Sequence, residues 1–188
     1  MKRIFFSVAA SAAIALAALP ASAQLTNGTT APLFTGPAAV GGDVSTFDLK
    51  AALAKGPVVV YFFPKSFTTG CTIEAHTFSD HIADFKKLGA TVVGVSGDDI
   101  ETQKKFSTQE CRSNFPVVSD VGLKIAKQYD AVLKDQYANR TSYVIAPSGK
   151  IVEAYTDLEP TPHIDNALKA LQALNKPADA MPAQKSGY

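Results

Sequence analysis

Net charge is nearly absent from this chain of 188 residues: 18 Lys and Arg stand against 17 Asp and Glu, a balance of +1. A nucleic-acid binder needs a cationic face, and the overall composition supplies no such excess. The basic pairs Lys86-Lys87 and Lys104-Lys105 have no aromatics interleaved with them, so they read as solvated helix faces rather than a strand-binding groove. Cysteine is scarce. Two residues, Cys71 and Cys111, are too few for a disulfide-stapled scaffold or a four-thiolate zinc site, and neither has a C-x-x-C partner, as a thiol–disulfide oxidoreductase requires. There is no glycine-rich phosphate loop and no internal repeat. With 46% hydrophobic and 19% charged residues, the composition is that of a folded domain and excludes a disordered chain.

The one long apolar run stands at the start. Met1, Lys2 and Arg3 give a positive lead, residues 4–19 are apolar apart from Ser7 and Ser11, and Pro20 precedes Ala21-Ser22-Ala23. This pattern predicts a secretory signal peptide over 1–23, cleaved after Ala23. The run of sixteen residues is short for a membrane anchor, which needs about 20. Its removal takes two basic residues and leaves 165 residues with a net charge of −1. The expectation is a soluble periplasmic or secreted protein with no membrane association after cleavage. It would meet an oxidising compartment in which two cysteines can pair.

The remainder reads as one domain over 33–174, between a flexible lead-in at 24–32 and a disordered tail at 175–188. Gly41-Gly42-Asp43 marks a turn within an otherwise mixed stretch. Residues 58–63 (VVVYFF) lie between Gly56-Pro57 and Pro64 and predict a strand buried on both faces. A helix follows over 71–88, then a strand over 91–96 and a helix from Asp98 or Asp99 to about Glu110. A short strand at 115–118, a helix over 121–129, a hairpin of strands 142–146 and 150–155, and an amphipathic helix over 162–174 complete the order. Alternation gives parallel strands and the hairpin adds an antiparallel pair. The expected fold is α/β, a thioredoxin-like mixed sheet with helices on both faces.

Cys71 falls after the first buried strand, at a predicted helix N-terminus. Ligands of open α/β sheets bind at the carboxyl ends of strands, and free N–H groups with the helix dipole favour a thiolate there. Thr68, three residues earlier, can offer a hydroxyl to the sulfur or to a bound oxygen. Pro64 shapes and shields the approach. A buried inert thiol is the alternative, but the polar, glycine-containing turn argues for reactivity.

Pro64-x-x-x-Thr68-x-x-Cys71 resembles the peroxiredoxin active-site pattern, and YFFPKSFTTGCTIEA is similar to the peroxiredoxin Q or bacterioferritin-comigratory-protein branch. Further similar blocks follow in order: Val92 to Ser96, Phe115 to Asp120, Arg140 to Ile145, and Pro147 to Ile151. Together the resemblance covers about 31–174. It implies a thiol peroxidase acting on hydrogen peroxide or small organic hydroperoxides, with Cys71 as the peroxidatic cysteine that becomes a sulfenic acid. Thr68 would bond the peroxide. Arg140 would place a cation beside Cys71, favouring the thiolate and polarising the O–O bond. Glu74 would orient Arg140. A thioredoxin-like dithiol would be the reductant, no cofactor is called for, and a monomer or weak dimer is expected.

Two departures stand out. Thr69 replaces the proline usual in Thr-Pro-Gly-Cys, and His76 occupies the position five residues after Cys71 where many members carry a second cysteine. Cys111, forty residues on, is the other thiol of the chain. Some members resolve the sulfenic acid with a cysteine in that helix, which implies a Cys71–Cys111 disulfide. A passive Cys111 with an external resolving thiol remains open, as does a permanent bridge, worth about 4 kcal/mol for such a loop. A metal site is not expected. Cys71, His76 and His81 could be read as copper ligands, but their spacing spreads them around a helix. The histidines, with His163 far along the chain, read as solvent-facing.

Overall fold

The computed structural model describes residues 24–176. The expected signal peptide, and the tail beyond Lys176, lie outside the described residues.

The chain enters through an edge hairpin, strands β1 (Thr35–Val40) and β2 (Asp43–Asp48), within a stretch whose residue pattern is mixed. The reason is plain in β2, whose residues are nearly all exposed and give no apolar alternation. The turn is legible, because Gly41 and Gly42 both take positive φ (57° and 87°), the geometry of a two-residue hairpin loop. Helix α1 (Leu49–Leu53) starts under an Asp48 cap that accepts from Ala51 N–H. Strand β3 (Val58–Phe62) is buried throughout.

The predicted helix at 71–88 is corrected to two: α2 (Thr69–Asp80) and α3 (Ile82–Lys87). The break falls at His81 (φ −97°, ψ 6°). It keeps Phe78 and Phe85 both in the core, their rings 5.7 Å apart. Strand β4 (Thr91–Ser96) leads to α4 (Ile100–Gln109), capped by Asp99, which accepts from Thr102 N–H. Strand β5 (Val117–Ser119) begins later than predicted. Helix α5 (Lys124–Gln128) is shorter than predicted because Leu123 is left-handed and the Asp120 carboxylate takes the N–H groups of Ile125 and Ala126. A small ribbon of β6 (Val132–Leu133) and β7 (Tyr137–Ala138) was not anticipated. Strands β8 (Thr141–Ile145) and β9 (Ile151–Thr156) form the expected hairpin, and α6 (Thr161–Leu174) ends the fold.

Seven strands make one mixed sheet in the order β2-β1-β5-β4-β3-β8-β9. β3 runs parallel to β4 and antiparallel to β8, with Phe62 opposite both Val95 and Thr141. Strand alternation splits the core in two. Val58, Val60 and Phe62 pack with residues of α1 and α5 on one face. Val59, Tyr61 and Phe63 pack with residues of α2, α3, α4 and α6 on the other. This is the thioredoxin-like α/β arrangement, with helices on both faces.

The expected flexible lead-in at 24–32 is instead tied to the sheet edge. Gly28 N–H donates to the Ile151 carbonyl (2.8 Å), Ala31 N–H to Gly149 (2.9 Å), and Ile151 N–H returns a bond to Thr29 (2.9 Å). The physical reason is the open edge of β9, whose unpaired groups recruit the segment. Among the described residues no helix is long and apolar enough to cross a membrane.

Candidate active site

The site grows from the end of β3. Phe63 N–H still bonds the Val95 carbonyl (3.1 Å), after which Pro64 turns the chain out of the sheet. The loop is held by its neighbour beyond β4. Ser66 N–H donates to Asp98 Oδ2 (2.8 Å), and Ser96 Oγ donates to the same oxygen (2.7 Å). Buried Gln103 reaches Ser96 through Nε2 (2.7 Å). Phe67 takes a left-handed φ of 63° and sets its ring edge-on to Phe106, 5.3 Å away.

Thr68 is the N-cap of α2 by backbone geometry, but its hydroxyl donates to the Lys65 carbonyl (3.0 Å) rather than to a helix N–H. Its lone pairs stay available to an incoming donor. Thr69 is the first helical residue, where a proline would also fit, which explains why the family's proline can be exchanged here without losing the turn. Cys71 is therefore in the first turn of a twelve-residue helix and only 1% exposed.

Arg140 arrives from the other side of the sheet's centre. Because β8 pairs with β3 and Thr141 sits opposite Phe62, the residue before Thr141 lies beside the end of β3 despite 69 residues of separation. Its guanidinium is fixed at three points. Nη2 donates to Cys71 Sγ (3.6 Å), Nη1 bonds Glu74 Oε2, and Nε donates to the Leu158 carbonyl (2.9 Å). Glu74 is fully buried one turn beyond Cys71. Burial pushes its carboxyl up to about 8, against the pull of Arg140. Burial draws the Arg140 guanidinium down, but Glu74 and the Cys71 sulfur outweigh it and the net direction is up. The site thus holds a permanent cation against a thiol with little water to screen it.

Gly70 has a reason beyond turn chemistry. A Cβ there would lie 2.8 Å from Arg140 Nη2, the atom that reaches Cys71. Sequence reading did not find this role, nor those of Ser96, Asp98, Gln103 and the Leu158 carbonyl. A backbone carbonyl 18 residues from its partner leaves no signature in side-chain pattern.

Cys111 follows α4 and is fully buried, with its thiol pushed well above its ordinary value by burial. Both cysteines are free thiols in this structure. They belong to one buried cluster with Tyr61. The Tyr61 hydroxyl, within interaction range of the Cys111 thiol, has no nitrogen or oxygen partner. Three contacts bind the Cys111 segment to α2. Ser79 Oγ donates to the Cys111 carbonyl (2.8 Å), His76 Nε2 meets Glu110 Oε2 (2.7 Å), and Arg112 pairs with Asp80. Arg112 and Ser113 are both left-handed, so the chain turns sharply just past the thiol.

The histidines go separate ways. His76 turns to Glu110 and His81 to Asp84, so neither is aimed with Cys71 at a common point. His163 corrects the solvent-facing expectation: it is fully buried, because α6 lays it against Tyr155 and Ser142 of the terminal hairpin.

A lone cysteine in the first turn of a helix, touched by a buried arginine on a thioredoxin-like sheet, defines a class of thiol redox protein distinct from the C-x-x-C type. The AhpC/TSA family profile matches residues 27–154. Peroxiredoxin Q of Sedum lineare chloroplasts is 39% identical over 156 residues, covering 81% of this chain and 81% of that protein. Peroxiredoxin Bcp of Xanthomonas campestris is 31% identical over 147 residues, covering 69% of this chain and 91% of that one. The crystal structure of peroxidoxin BcpB from Mycobacterium tuberculosis superposes with a TM-score of 0.73 at 30% identity, over 80% of this chain and 98% of that one. The chain belongs to the AhpC/TSA family and is a peroxiredoxin, a thiol peroxidase of the peroxiredoxin Q and Bcp kind.

Proposed function

We propose that Cys71 is the attacking thiol, that Cys111 resolves it, and that the protein is exported and recycled by a thioredoxin-type dithiol. In the first step the Cys71 thiolate attacks one peroxide oxygen. The S–O bond forms as the O–O bond breaks, and the departing hydroxide or alkoxide takes a proton to leave as water or alcohol. The sulfur is oxidised to sulfenic acid and the peroxide is reduced. Arg140 Nη2, 3.6 Å from Sγ, is the observation that carries this reading. A fixed donor aimed where negative charge moves from sulfur to oxygen stabilises the transition state. Thr68 supplies an exposed hydroxyl at the mouth of the turn, and Pro64 walls it.

In the second step the Cys111 thiol displaces water from the sulfenic acid and an S–S bond forms. The shared buried cluster favours Cys111 over an external thiol. A disulfide requires Cα atoms within about 7 Å, and helix ends open at low cost to provide that approach. An external dithiol then reduces the bond, returning both thiols and leaving its own disulfide. Export rests on the pattern of residues 1–23, positive, apolar and then small, and on nothing in the folded domain.

The test is peroxide consumption with a thioredoxin-type donor. Cys71→Ser is expected to abolish turnover. Full activity in that variant would overturn the mechanism. Intact mass after one equivalent of peroxide is expected to fall by two hydrogens; a persistent gain of one oxygen would remove Cys111 from the cycle.

A further inference from the structure

We infer that His163 is a positioning residue for the reaction at Cys71: its two ring nitrogens clamp the turn at 157–160 to β8, and that turn's Leu158 carbonyl orients the Arg140 guanidinium. The inference rests on the reading of Cys71 as the attacking thiol.

The turn joins β9 to α6. Of its side chains Pro160 is buried, while those of Asp157, Leu158 and Glu159 are exposed, Leu158 at 69%, so the stretch that carries the Leu158 carbonyl has little side-chain packing of its own. Most of its other hydrogen bonds are local: Glu159 N–H and Tyr155 Oη both go to the Asp157 carboxylate, and His163 N–H goes to the Pro160 carbonyl. Two side chains outside the turn take its carbonyls. Arg140 Nε donates to Leu158 (2.9 Å), and His163 Nε2 stands 3.0 Å from the Asp157 carbonyl. A carbonyl only accepts, so Nε2 carries the hydrogen. In the neutral ring Nδ1 is then the acceptor, and it takes the hydroxyl of Ser142, 2.9 Å away on β8. Only the neutral Nε2–H tautomer satisfies both bonds in this way.

The surroundings hold that state. His163 is fully buried and its ring stands edge-on to Tyr155, centroids 4.8 Å apart. Among the groups facing it, the Arg140 charge opposes a second cation and Asp157 favours one; with burial dominant, the imidazole is pushed down to about 4. It is therefore neutral and singly oriented wherever the peroxidase works near neutral pH.

The consequence reaches the sulfur through one planar group. A guanidinium is a rigid fork, so the Nε bond to Leu158 fixes the rotation that sends Nη1 to Glu74 and Nη2 to Cys71. Without a held Leu158 carbonyl, the fork can pivot about Glu74 and Nη2 leaves the sulfur. His163 touches neither thiol nor peroxide and acts only through this chain of bonds.

The test uses the full chain carrying Cys111→Ser, so that the first step is isolated. The rate of Cys71 with hydrogen peroxide, and its alkylation by a neutral iodoacetamide across the pH range, are compared among the parent, His163→Leu and His163→Gln. Leu removes both ring bonds, whereas Gln keeps a donor near the Nε2 position. Leu is expected to slow peroxide attack about tenfold and to move the alkylation profile to higher pH, and Gln to restore most of both. A His163→Leu protein that is folded, by its near-ultraviolet circular dichroism, and has an unmoved profile would overturn the inference. If that variant does not fold, Ser142→Ala removes the Nδ1 bond alone. It must move the profile in the same direction by a smaller amount, and an unmoved profile there has the same negative force. A Cys71→Ser control separates the two levels, since peroxide consumption persisting in it defeats the reading of Cys71 rather than that of His163.

Discussion

Gly70 lies so close to Arg140 that a Cβ would stand 2.8 Å from Nη2. In a freely moving arginine the tip would swing aside at little cost. Here Nη1 is held by Glu74 and Nε by Leu158, so relief must shift the whole planar group against those two bonds and carry Nη2 away from Cys71. Gly70→Ala should therefore slow peroxide attack about tenfold, a loss typical of one displaced charged hydrogen bond. Position 70 is also helical, where alanine is better than glycine by about 1 kcal/mol. The expected signature is lower activity with an undiminished melting temperature. Wild-type single-turnover kinetics in this variant would show that the arginine has more freedom than its three bonds imply.

Glu74 is the buried acceptor for Arg140 Nη1. Truncation to alanine leaves a guanidinium that is 5% exposed without that acceptor, and stranding a buried charged donor in this way costs about 3 kcal/mol or more. Glu74→Gln keeps an oxygen for Nη1 and should cost much less. Urea unfolding of the two variants measures the difference. Equal destabilisation would mean that the site needs the volume of residue 74 and not its acceptor.

The parts of this molecule that are legible in its sequence share a physical trait: their signal is local. The buried run at 58–63, the turn cysteine and the terminal hairpin each declare themselves within a few residues. The pairing of Arg140 with Cys71 was reached only through family resemblance, because the sheet order β4-β3-β8 that makes them neighbours is a non-local fact. The exposed strand β2 carried no alternation to read. His163 looked like an ordinary surface histidine because its partners are a serine on another strand and a backbone carbonyl. The break at His81 fell inside a stretch whose apolar spacing fits one helix as well as two.

Cys111 is held to α2 before it can travel. Its carbonyl accepts from Ser79 Oγ as well as from Asn114 N–H, so removing the hydroxyl weakens the segment without orphaning the acceptor. Ser79→Ala should lower the cost of opening by about 1 kcal/mol and speed disulfide formation about fivefold. Acid-quenched mass spectrometry after a peroxide pulse follows the conversion of sulfenic acid to disulfide. A slower conversion would mean that the bond aims Cys111 rather than restrains it.

Stability should carry a proton signature of His163. The imidazole is pushed down to about 4 by burial, whereas in the unfolded chain it titrates near 6.5. Between those values the unfolded state binds the extra proton, so stability rises with pH across the window. The neutral ring's contribution is complete above about pH 6.5 and is lost progressively as the pH falls toward 4, by about 3 kcal/mol over the whole interval. Glu74 works in the opposite sense. Its carboxyl is pushed up from 4.5 to about 8, so between those values the folded state binds the extra proton and stability falls as pH rises. The total slope is a compromise between the two, and wild type alone cannot apportion it. The difference between wild type and His163→Gln removes the Glu74 contribution common to both. That difference should narrow as the pH is lowered from 6.5 to 4, measured by urea unfolding at each pH. A constant difference would mean that the folded ring accepts a proton as readily as the unfolded one.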